Sequence, residues 1–223
     1  ADKSITGNVV LDNGSNLIVN NGSSVIGAIS GQETNEGTVT FAGTNTLAGT
    51  VGTSSNTLTA INFGGSANVT AGSNDLYATN IYFENGSTLN LGSGAIDGMV
   101  DGNGDAYGTI NLTETRSVGT LGLSNGILAV NVADAATITA NQDIKATTVT
   151  VGEGTSGALN LAASRSITGN VVLDNDSTLT LNNGSSVTGT ILGQADGEGT
   201  LAIAASSTVT AQDAIGSASN SLA

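Results

Sequence analysis

Ser4 to Gln32 reads SITGNVVLDNGSNLIVNNGSSVIGAISGQ, and Ser166 to Gln194 reads SITGNVVLDNDSTLTLNNGSSVTGTILGQ. The two stretches are 162 residues apart and identical at 22 of 29 positions. The echo runs on: GQETNEGTV at 31–39 answers GQADGEGTL at 193–201, and GTSSNTLTA at 52–60 answers GSASNSLA at 216–223. Residues 1–61 are thus repeated in 163–223, inside one elongated domain. Self-similarity of this kind marks an architecture of stacked units, in which no unit buries its apolar face alone. The second copy stops in mid-phrase, which suggests a longer array or a unit that joins others end to end.

Both copies are built from short words of alternating Val, Ile, Leu and Thr, bounded by Gly, Asn, Ser or Asp. That is the pattern of β-strands of three to six residues. Such words occur from Val9–Leu11 to Thr208–Thr210, including Thr38–Phe41, Ile81–Phe83, Thr120–Leu123 and Thr178–Leu181. No capped amphipathic helix is visible. Asn-Gly pairs at 13–14, 21–22, 85–86, 103–104, 125–126 and 183–184 would suit hairpins of an antiparallel sandwich or barrel. They would equally suit left-handed corners of a parallel coil. Spacing favours the coil. Apolar words recur at Leu17, Val39 and Leu58, at Leu89, Ile110 and Leu128, and at Leu159, Leu179 and Leu201, in steps of 18 to 22 residues. We expect an all-β, right-handed parallel β-helix of about 20–22 residues per coil, with the long repeat spanning roughly eight coils. Apolar side chains would stack inward, Thr, Ser and Asn outward, and Asn at inner corners would form amide ladders.

Composition agrees. Of 223 residues, 32 are Gly and none is Pro, so the chain turns on glycine and asparagine. Six aromatics and no Trp suit a core only a side chain or two wide. There is no Cys and no His, which removes disulfides, thiolate metal sites and the usual general base. A net charge of −14 with four basic residues argues against nucleic acid as a partner. It argues equally against anionic membrane surfaces, and no apolar run is long enough to span a bilayer.

Thr44–Phe63 (TNTLAGTVGTSSNTLTAINF) and Leu76–Gly92 (LYATNIYFENGSTLNLG) resemble the passenger domains of rickettsial surface cell antigens, a family of outer-membrane autotransporters. GNVVLDNGS and DGEGTL are similar in style, so the resemblance covers most of the chain in texture. It implies an extracellular location at the bacterial cell surface and a role as spacer or adhesin, with a host-cell or neighbouring-cell surface as partner. An export signal and a C-terminal barrel would lie outside these 223 residues. The alternative partner is a second copy of the chain, stacked end to end in a filament or surface layer.

Local motifs add candidates. Asp101-Gly-Asn103-Gly-Asp105, with Asp97 close by in a glycine-rich excursion to Gly108, alternates oxygen ligands as a calcium loop does. It lacks the Gly after Asp105 and the acidic twelfth position, where Leu112 stands. A solvated loop is the plainer account, and no other cofactor is indicated. Tyr77 and Tyr82 are candidates for an exposed binding patch, since Ile81 and Phe83 pointing inward would turn Tyr82 out. Core filling by the rings is the alternative. Thr-Xaa-Thr at 38–40, 57–59, 137–139, 148–150, 178–180 and 208–210 resembles the working face of ice-binding β-solenoids, though here it is interrupted over 60–136. Asn-Xaa-Ser/Thr sites, such as Asn68 and Asn111, arise by chance in such a composition. The acids are scattered, and with no His and four cations we expect no enzyme.

Overall fold

The computed structural model describes residues 3–205 and 208–223, and these form a β-solenoid with no helix. All paired strands run parallel. Each coil has three faces. The first face carries the bridged row Leu17, Val39, Ile61, Ile81, Val100, Leu121, Ile144, Ile167 and Val187. The second carries Val69, Leu89, Ile110, Val130, Val149, Val171 and Ile191. The third begins with Val9, Ile29, Val51, Leu76 and Ile96 and ends with Ile138, Leu159, Leu179 and Leu201. About ten coils at ~4.8 Å each make a rod on the order of 50 Å long.

These rows are the core. From Val39 to Val187 every first-face member is at most 1 % exposed. One coil could not exclude water from a row this narrow, but a coil above and another below do so together. Three phenylalanines widen the core locally. Phe41, Phe63 and Phe83 lie in register on successive coils, with ring centroids 5.8 and 4.7 Å apart. Each ring buries far more apolar area than the Val or Ile beside it.

Spacing in the sequence finds the coil but not the face. Leu17 and Val39 lie on the first face, Leu89 and Ile110 on the second, and Leu159, Leu179 and Leu201 on the third. Leu128, expected in the apolar row, is 41 % exposed, and Val130 two residues on takes the inward place. The expected strand Thr120–Leu123 contracts to a single bridge at Leu121. Gly122, with a positive φ of 75°, breaks it there. The expected inner asparagine ladder is absent among the described residues. Asn45 is the buried inward asparagine, and its amide donates to the carbonyls of Asn20 and Ser23 at 3.0 and 2.9 Å.

The corners repeat with the words. Asn8 Oδ1 accepts from Ala28 N, and Asn170 Oδ1 from Thr190 N, at 3.0 and 3.1 Å. Glu36 accepts from Glu33 N as Glu198 accepts from Ala195 N. Asn56 donates to the Gln32 carbonyl as Asn220 donates to that of Gln194. Gly189 sits at φ +135°, where a Cβ would lie 2.3 Å from the Gly169 carbonyl oxygen of the coil below. Only glycine lets the backbones approach so closely.

The two copies nevertheless occupy different faces. Val9 bridges to Ile29 on the third face, while its counterpart Val171 lies on the second. Leu17 is on the first face and its counterpart Leu179 on the third. The first face needs seven steps from Leu17 to Ile167, and Leu179 lies two faces further on. The repeat is therefore one face short of the eight coils expected from its length.

Identical words also meet different neighbours. Ile5 is 46 % exposed in the first coil, whereas its counterpart Ile167 is fully buried between two coils. Ile167→Ala is expected to cost about 2–5 kcal/mol, the usual range for a buried aliphatic truncated to alanine. Ile5→Ala should cost under about 1 kcal/mol. Chemical denaturation of both variants checks this, and equal losses would refute the assignment of coil neighbours.

Candidate functional site

The first half of the segment expected to be a calcium loop is a strand, and Asn103 and Asp105 lie in the turn that follows it. Ile96–Gly102 pairs with Leu76–Phe83, and Asp97 and Asp101 stand opposite Tyr77 and Tyr82. Asp101 is 6 % exposed. Its Oδ1 accepts from Gly102 N at 3.1 Å and Asn125 N at 2.9 Å, and its Oδ2 from Ser124 N at 3.0 Å. The carboxylate thus caps the turn of the next coil. Asp105 accepts from Gly126 N at 3.1 Å in the same turn. Asn103 points elsewhere and donates to Glu84 Oε1 at 2.5 Å. Asp97 is exposed and stands with Tyr77 on the third face. Asp101 and Asp105 thus meet on one turn, Asn103 and Asp97 are engaged elsewhere, and among the described residues no three Asp or Glu side chains come close enough to share a metal ion.

The signal missed in the sequence is Asn125, 22 residues after Asn103 and about one coil on. Its amide also donates to the Gly102 carbonyl at 2.9 Å. Arg116 is a second surprise. It stands in the inward register opposite Ile138, and its guanidinium donates to the carbonyls of Gly92 and Gly94. Burial lowers its pKa, against the raising influence of Asp75 and Glu114. The guanidinium closes backbone acceptors where the third-face strands begin a new register.

The two tyrosines are on different faces. Tyr77 follows Leu76 on the third face, and the register shifts between Tyr77 and Asn80 as the strand turns the corner. Its phenol is held above the ordinary tyrosine range by the negative charge of Asp75 first, then by burial and by Asp97. Tyr82 lies on the first face, half-buried, between inward Ile81 and Phe83. They form no joint patch. Tyr82 instead borders a groove with Thr40, Asn62, Gly64, Glu84 and Asn103.

The second face is the most regular surface. Its outward pairs, coil by coil, are Thr44/Thr46, Asn68/Thr70, Thr88/Asn90, Thr109/Asn111, Ala129/Asn131 and Thr148/Thr150, all in register. The expected Thr-Xaa-Thr words do not share a face: 38–40 lies on the first, 137–139 and 178–180 on the third, and 148–150 on the second, where Thr, Asn and Ala129 carry the two columns on. Asn90 donates to Asn68 at 2.8 Å, Asn111 to Asn90 at 2.7 Å and Asn131 to Asn111 at 2.9 Å. None of the twelve is charged, in a chain of net charge −14. Neighbouring groups repeat at about 4.8 Å along the axis and about 6.6 Å along the strand.

Comparisons with protein-family models, with curated proteins and with solved structures return no match.

Removing the Asp101 cap leaves three backbone donors to find new acceptors. Asp101→Ala is expected to lower stability by about 1–3 kcal/mol, while calcium leaves the melting temperature of the wild-type chain unchanged. A calcium-dependent rise that Asp101→Ala abolishes would reinstate the metal loop.

Proposed function

We propose that this chain is an extracellular structural and adhesive protein of a bacterial surface, a stiff spacer that holds loops away from the cell. One observation carries the reading: the core is continuous through the stack from Val39 to Val187, so loops at the corners ride on a rigid rod. Cross-coil hydrogen bonds resist bending, because any bend must open ladders on one side. The rickettsial passenger-like texture supports the same setting. Electron microscopy across a concentration series, paired with binding to cultured cells, tests it. Single rods of about 50 Å that bind cells saturably are the expected result. Long filaments would replace it with end-to-end assembly, and rods that bind no cell would leave only the spacer.

A second reading rests on the second face. An uncharged, internally braced array, hydroxyl or amide at every position but Ala129, suits an ordered water lattice, so we read this face as a candidate ice-binding surface. Thr109→Tyr would raise a bulky ring at its centre without touching the core. The wild-type chain should then slow ice recrystallisation and the variant should not, with unchanged circular dichroism. Equal behaviour of the two, or no effect of the wild-type chain, removes this reading.

A further inference from the structure

The groove beside Tyr82 has a volume of about 230 Å³ and is lined by Thr40, Asn62, Gly64, Tyr82, Glu84 and Asn103. Its residues come from four successive coils, with Thr40, Asn62 and Tyr82 in register on the outside of the first face. Behind them runs the phenylalanine stack, with Phe41, Phe63 and Phe83 each next in sequence to one of these three. The groove floor is therefore backed by buried aromatic rings. Glu84 is held in place by the Asn103 amide at 2.5 Å, and Asn62 leans on the Thr40 hydroxyl at 3.4 Å. Gly64 contributes backbone alone, and a Cβ there would lie 3.1 Å from the Phe41 carbonyl oxygen.

Size and chemistry narrow the occupant. The volume is below the roughly 300–1,000 Å³ of sites for drug-sized ligands, which suits one six-membered ring. The lining offers an aromatic face, a carboxylate, two amides and a hydroxyl. That is a platform for C–H groups beside donors and acceptors for hydroxyls. No lysine or arginine lines it, which disfavours phosphates and carboxylates, and a net charge of −14 repels anionic sugars besides. A single carboxylate is too few for a divalent cation. We propose that this groove is a subsite for one residue of a neutral, hydroxyl-rich glycan. The proposal rests on the adhesive reading and names its ligand class.

A shallow subsite for one ring should bind weakly, with Kd on the order of 1 mM for a free monosaccharide. The purified chain is titrated with glucose, galactose, mannose and N-acetylglucosamine, followed by NMR shifts and tyrosine fluorescence. At least one of these sugars should give saturable binding. Tyr82→Ala should weaken it at least tenfold, Glu84→Gln several-fold, and Tyr77→Ala on the third face not at all. Circular dichroism confirms that the outward substitutions leave the fold intact. No saturable change at sugar concentrations about ten times that Kd, or binding unaffected by Tyr82→Ala, overturns the proposal. Cell binding separates the two claims. If cells bind but no free sugar gives a saturable change, the subsite falls and the adhesive reading stands. If the sugar binds and cells do not, the subsite stands and the adhesive reading falls.

Discussion

Parallel in-register pairing between successive coils is the constraint on which everything else depends. It satisfies the backbone of each strand by the coils before and after it, so a coil has no complete hydrogen-bond set of its own. It also forces chemically similar residues to stack. An isoleucine row must continue as an apolar row, or the narrow core opens. A row of outward hydroxyls becomes a flat face without further design. Length differences between coils are absorbed at the corners, where glycine and asparagine tolerate the required φ and where the Asn8, Asn170, Glu36 and Glu198 side chains cap exposed N–H groups.

Much of this is legible in the sequence because it is local. A word such as TLTL or TINL sets its own inward and outward sides by period two, and the corner residues announce themselves by type. What is not legible is whatever depends on the coil above. Asp101 reads as a loop ligand within its own segment, yet its partners are Ser124 and Asn125, which no local pattern ties to it. Thr-Xaa-Thr is a local word and does not say which face it is on: 38–40, 148–150 and 178–180 fall on three different faces, while Thr88/Asn90 and Thr109/Asn111 share the two columns of 148–150. Leu128 misled for a related reason: a fixed step carries over from coil to coil, while real coils shorten and lengthen at their corners. The inward place of Arg116 is of this kind too, since its reasons are the carbonyls of Gly92 and Gly94 one coil away.

The tyrosines separate for the same reason. Five residues apart in one strand, Tyr77 and Tyr82 face different directions because the strand rounds a corner between them. Nearness in sequence joins residues along a coil. Nearness about one coil further on joins them across coils. A groove such as that of Tyr82, Asn62 and Thr40 is assembled mainly by the second kind, from four successive coils.

The long repeat is out of phase with the coil by one face, and this has a geometrical consequence. Each copy of the word is a screw operation: it climbs the axis and also precesses backwards by a third of a revolution. Written three times, the same phrase would point in three azimuths, and a fourth copy would return to the first. A single short text, merely written three times, would then dress a shaft on every side. No separate sequence need be invented for each side, and no direction of approach would find it bare.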